Sequence, residues 1–213
     1  MATAITIGIP VYQGVDLLDV TGPHEIFGWM DNPPDLSVEV QLIAASLGDI
    51  KSRDGFVFKP THTFATATTK LDALWVPGGE VPALAREMKQ PSPYVDFLKK
   101  QGDARFICSV CEGAMLLAAS GLLDGHLATT HWAFIPCFSK FPKVHVAQGF
   151  PRFVLSGNRL TGGGISSGLD EAFKLVELLT DYETAQGIQQ TTQYYPCPPV
   201  ASELKPATGC PLG

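Results

Sequence analysis

Apolar positions along this chain fall into two kinds of pattern, short β-branched runs and longer stretches with a helical repeat. Ala4–Val11 (AITIGIPV) is an apolar run long enough for a buried strand. In the following LLDVTGPHEIFGWM, Pro23 points to a helix starting near it, because a first helical turn does not need the missing N–H. Ser37–Ala44 alternates and reads as a second strand, and Gly55–Pro60 as a short strand or hairpin arm. Leu71–Val76 (LDALWV) is a further buried strand that stops at Pro77-Gly78-Gly79. Helices are predicted over Val81–Met88 and Pro93–Gln101, then a strand over Arg105–Val110. A helix of small residues and leucines follows over Glu112–Ser120, ending at Gly121. Ser156-Gly157-Asn158 is a hairpin turn between the short strands Phe153–Leu155 and Arg159–Leu160. Ser167 is placed as the cap of a last helix, with Leu169, Phe173, Val176 and Leu179 on one face.

Strands alternating with helices predict an α/β fold, a mainly parallel sheet with helices on both faces. A length of 213 residues, 45% hydrophobic and 17% charged, suits one domain with a continuous core. No linker divides the chain, so residues 1–195 are read as that domain and the proline-rich stretch 196–213 as an extended tail. The net charge is −6 and the basic residues are scattered, so nucleic acid is not an expected partner. The longest apolar run, around Gly113–Leu123, is too short to span a bilayer, and the N-terminus lacks the basic region of a signal peptide. No membrane association is expected, and a cytoplasmic location is the default. Five cysteines (Cys108, Cys111, Cys137, Cys197 and Cys210) make an odd number without framework spacing, which predicts reduced thiols.

Ligands of such sheets sit beyond the carboxyl ends of the strands. Asp19, Gly78-Gly79 and Cys111 all arrive there. A cysteine at the first turn of a helix has its thiolate favoured by unpaired N–H groups and the helix dipole. The neighbouring Glu112 N–H can serve an oxyanion, and Gly113 permits a tight turn from strand to nucleophile to helix. The plainer reading of Cys111 is a small buried hydrophobe. Cys108 completes a C-x-x-C but lies inside the strand, pointing to the core, and no second pair exists for zinc. Asp19 fits either a helix N-cap or a partly buried acid of raised pKa that shuttles a proton. The Gly162–Gly164 loop lacks a P-loop lysine and reads as a packing loop facing Cys111. His131 fits a structural hydrogen-bonding role better than that of a base.

Taken together, LDVTGPHEIF, LWVPGGE, SVCEGAMLLAASGLLDG, ATTHWA and LTGGGISSGLDEAFKLVE resemble the ThiJ/PfpI superfamily, in that family's order and over residues 4–195. Its fold is flavodoxin-like and related to class I glutamine amidotransferases, and within it the sequence is most similar to the isonitrile (isocyanide) hydratases. The resemblance implies that Cys111 and Asp19 are the catalytic pair, acting on a small-molecule substrate. It also implies that the N–H groups of Gly79 and Glu112 line the place where charge develops, and that Ile165 packs beside the nucleophile. A homodimer is implied, and no cofactor, since neither metal-ligand spacing nor a dinucleotide fingerprint is present. One departure stands out: the hydratases carry threonine where this chain has Glu112. A carboxylate there raises the thiol pKa, or serves as a second acid toward the substrate. Two alternatives follow from the resemblance, a glyoxalase-like or amidase-type enzyme and a sensor whose Cys111 is oxidised. Similar domains also open AraC-type regulators, but this chain ends soon after its last predicted helix, so DNA regulation is not expected.

Overall fold

Strands and helices alternate as the apolar pattern predicts in a computed structural model that describes residues 3–31 and 36–213. β1 (Thr3–Pro10) leads into α1 (Leu17–Gly28), and β2 (Leu36–Ala44) is followed by a hairpin of β3 (Ile50–Lys51) and β4 (Val57–Phe58), then β5 (His62–Thr63). β6 (Ala73–Val76), α2 (Val81–Met88), α3 (Pro93–Lys100), β7 (Phe106–Ser109) and α4 (Gly113–Ser120) come next. β8 (Leu127–Ala128) and β9 (His145–Val146) flank a 3₁₀ segment, Trp132–Lys140. The hairpin of β10 (Phe153–Ser156) and β11 (Arg159–Gly162) precedes α5 (Ser167–Leu179) and α6 (Tyr182–Thr191).

Seven strands form one sheet in the order β10-β11-β7-β6-β1-β2-β5, parallel throughout except for the β10–β11 hairpin. This is the flavodoxin-like α/β architecture. The order reverses between β1 and β6, and in sheets of this kind ligands bind beyond the carboxyl ends of the strands at such a reversal. β6 is buried along its whole length, as expected of a central strand covered on both faces. Trp75 fills the space between sheet and α1, its ring edge-on to Phe27 at 5.5 Å.

Three details differ from the sequence reading. α1 starts at Leu17, six residues before Pro23, which sits inside the helix. Proline in a helix leaves the carbonyl four residues earlier without a donor. That carbonyl belongs to Asp19, and the Trp75 indole N–H donates to it at 3.0 Å, so the helix tolerates Pro23. Ser166 rather than Ser167 caps α5, whose most buried face is Ala172, Leu175, Val176 and Leu179; Leu169 and Phe173 are half-buried at its margin. α6 was not predicted, because only Ala185 and Ile188 of YETAQGIQQT are buried; its signal was Asp181, whose Oδ1 accepts from Thr184 N at 2.8 Å.

The cysteine expectation is corrected. Cys137 and Cys210 form a disulfide across 73 residues, while Cys108 and Cys111 are buried free thiols and Cys197 is exposed. The tail folds back to bring Cys210 onto the 3₁₀ segment, a proximity that sequence spacing does not encode. Lys140 Nζ donates to the Leu212 carbonyl at 3.2 Å, and Leu212 packs on the core beside this link. Among the described residues, no helix is long and apolar enough to cross a membrane.

Candidate active site

β7 ends at Ser109 and α4 begins at Gly113, so the chain reverses within three residues. Cys111 takes φ +55°, in the left-handed region that costs an L-residue on the order of 1–3 kcal/mol. Neighbouring segments hold it there. Cys111 N donates to Gly163 O at 2.8 Å, and Thr130 Oγ1 donates to Cys111 O at 2.8 Å. The turn also needs Gly113: a Cβ there would overlap the Val76 carbonyl oxygen and stand 2.8 Å from its carbon. The expectation of a strand-to-helix turn carrying the cysteine is met, and the Gly162–Gly164 loop is a packing loop against it.

Cys111 is fully buried, with its Sγ 3.9 Å from Asp16 Oδ2 as donor. Burial pushes the thiol well above its ordinary pKa, and Asp19 and Glu112 push it further; the Ile165 N–H works in the opposite direction. The dipole argument for a ready thiolate is therefore outweighed by desolvation. Ile165 lies close enough to Cys111 for its N–H to interact with the thiol.

Asp19 lies in the first turn of α1, fully buried, with Oδ2 accepting from Gly78 N at 2.9 Å. It is not the helix cap, a position that Asp16 holds without a side-chain cap bond. Burial first, then the charge of Asp16, raises the Asp19 carboxyl well above the usual range, and its Oδ1 has no hydrogen-bond partner. Asp19 is thus a buried carboxyl next to the thiol, with its protonated form favoured by burial.

Asp16 was not singled out from the sequence. The available signal was its spacing: Asp16 and Asp19 are three residues apart at a helix start, so they share a face. Its Oδ1 pairs with Arg53 Nε at 3.0 Å. Burial raises its pKa, and Arg53 opposes the rise.

Glu112 is buried, and its pKa is raised to about 6, chiefly by burial. The N–H groups of Gly79 and of Glu112 itself favour its carboxylate. The two donors expected to face an oxyanion thus lie close enough to the Glu112 carboxyl to lower its pKa, while its Oε2 has no hydrogen-bond partner. Because the folded-state pKa exceeds the ordinary glutamate value of 4.5, the folded form holds a proton that the unfolded chain releases between 4.5 and about 6. The stability this proton confers is present below that window and lost as pH rises through it. Glu112→Gln is therefore expected to become more stable than wild type by about 1–2 kcal/mol above pH 6 and to lose that advantage near pH 4. Paired thermal melts across that range check it.

His131 Nδ1 accepts from Ala133 N at 3.2 Å and its ring packs on Gly164, so it caps the 3₁₀ segment. Asp16, Asp19, Cys111 and Glu112 bring ligand-type atoms within 4.8 Å of one another. Three carboxyls with one thiol and no imidazole match neither a hard-cation nor a soft-metal donor set, and we read the cluster as proton-handling.

The sequence profile of the DJ-1/PfpI family matches residues 6–178. Isonitrile hydratase from Pseudomonas putida is 38% identical over 200 residues, covering 93% of this chain and 82% of that protein. Among solved structures, a ThiJ/PfpI family protein from Pseudomonas syringae superposes with a TM-score of 0.85 at 32% identity, over 93% of this chain and 78% of the other. The oxidized DJ-1 of Toxoplasma gondii shares the fold, with a TM-score of 0.70 at 22% identity over 89% of this chain and 98% of its own.

Proposed function

The chain belongs to the DJ-1/PfpI family, and within it we propose that the protein is an isonitrile hydratase that uses Cys111 as nucleophile and Asp19 as an acid–base group. The observation that carries this reading is the fully buried Asp19 carboxyl set beside a buried cysteine at a left-handed turn. The similarity to an isonitrile hydratase along 93% of the chain supports it. In the reaction, sulfur bonds to the terminal carbon of R–N≡C and a proton ends on that carbon, giving the thioimidate R–N=CH–S–Cys. Water then adds to the same carbon with Asp19 taking its proton, nitrogen is protonated, and the C–S bond breaks to release R–NH–CHO and the thiol. Splitting hydration into addition and hydrolysis lowers each barrier.

Glu112 favours this reading over amide cleavage. An amidase builds an oxyanion in its first step and needs free N–H donors for it. Here the Gly79 and Glu112 N–H groups meet a carboxyl, which addition to an isonitrile carbon tolerates because no oxygen carries charge at that stage.

The test is incubation with an aryl isonitrile, following formamide by chromatography, with methylglyoxal as rival substrate and Cys111→Ala as control. Formamide from wild type alone is the expected result. No formamide from wild type would remove the hydratase assignment and leave the fold untouched.

A further inference from the structure

We propose that Asp16, held by Arg53, takes the proton of the Cys111 thiol, and that Asp19 keeps its own proton for delivery to the substrate. The second half rests on the hydratase reading; the first concerns the thiol alone.

Position separates the two carboxyls. Asp16 Oδ2 accepts from the Cys111 Sγ at 3.9 Å, a separation typical of a resting site that tightens on binding; the Glu112 carboxyl also meets the thiol but has no cation beside it. Its other oxygen faces Arg53, whose side chain is 52% exposed while that of Asp16 is 4% exposed. Asp16 therefore sits between the buried thiol and a cation that stabilises its carboxylate. Asp19 has no such cation: it is fully buried, one oxygen accepts from Gly78 N–H, and its backbone carbonyl is held by Trp75.

Arg53 is held in place by the fold. It lies in the loop of the β3–β4 hairpin, where Gly55 at φ +94° and a bond from Phe56 N to Ser52 Oγ (3.0 Å) shape the turn. Two backbone bonds tie this loop to the start of α1, Gly14 N to Lys51 O at 2.8 Å and Arg53 N to Val15 O at 3.0 Å. The ionisable groups facing Asp16 are Arg53 and Asp54 from the hairpin, Cys111 and Glu112 from the nucleophile turn, and Glu80 before α2. Asp19 on its own helix and Tyr12 after β1 complete the set. Arg53 is the cation in that set, so the carboxyl beside it is the one that best carries a negative charge. When environments push two neighbouring acids apart, the more acidic serves as base and the other as acid.

The steps balance. As sulfur bonds to carbon, the S–H proton passes to Asp16 and the Asp19 proton goes to carbon. Water then attacks, giving a proton to Asp19, while Asp16 returns its proton to nitrogen. The hydroxyl proton follows the departing sulfur, and both carboxyls are restored.

Alkylation of Cys111 by iodoacetamide tests the assignment without any isonitrile, so its outcome is independent of the hydratase assay. Site-resolved mass spectrometry follows Cys111 across pH, with the core thiol Cys108 reporting any unfolding. Asp16→Asn is expected to slow Cys111 alkylation about 10-fold or more near neutral pH. Arg53→Gln should slow it less and move its pH midpoint upward, whereas Asp19→Asn should not slow it and yet lose isonitrile turnover. Were Asp16 a mere like charge, Asp16→Asn would accelerate alkylation. Acceleration, no change, or an equal loss in Asp19→Asn would each overturn the proposal. If Asp16→Asn does not fold, the half-exposed Arg53→Gln decides by the direction of its pH shift.

Discussion

Cys111→Ser is expected to lower isonitrile turnover at least about 10³-fold while leaving the protein folded, a loss of about 4 kcal/mol of transition-state stabilisation. Sulfur is the nucleophile in the proposed reaction, and a serine hydroxyl ionises far less readily. The site offers little help, since burial and two carboxyls already push even the thiol upward. The Asp16 carboxyl could relieve a thiol of its proton but would be a weak base toward an alcohol. The backbone bonds that hold position 111 at φ +55° do not involve the side chain, so the turn should survive the exchange. Steady-state kinetics on an aryl isonitrile together with a thermal melt check both halves. A serine variant within about 10-fold of wild type would exclude a route through the thioimidate.

The second large effect is structural. Gly113→Ala is expected to destabilise the protein by more than about 3 kcal/mol, lowering the melting temperature by roughly 6–12 °C. An added Cβ would overlap the Val76 carbonyl oxygen, and would lie 2.8 Å from Val76 C and 3.1 Å from Pro77 C. All three are backbone atoms at the end of a central strand, with no rotamer available to move them aside. The chain can yield only by separating the ends of β6 and β7, which also carries Gly78 N–H away from Asp19. Turnover should therefore fall about 10²-fold even in the fraction that folds. A wild-type melt and full turnover would show that the ends of β6 and β7 are not closely packed at this point.

How far the site was legible depends on where the information lies. Cys111, Asp19, Gly79, Glu112 and Ile165 are all embedded in contiguous motifs, and they lie near the strand ends that an α/β sheet places together. Pro23 misled because its helical tolerance depends on the Trp75 indole, fifty-six residues away from Asp19 in the chain. Arg53 carries no motif, and its role exists only because the β3–β4 hairpin is tied to the start of α1.

The apolar periodicity alone determined the α/β class, the order of the main elements and the turn that presents Cys111, since strand and helix repeats are local properties. Tertiary structure decided the rest of that cysteine's chemistry. It packed three carboxyls around the thiol, set one against Arg53 and dried the others, and joined Cys137 to Cys210. Charge interaction and desolvation depend on distance and burial in space, which residues far apart in sequence acquire only on folding.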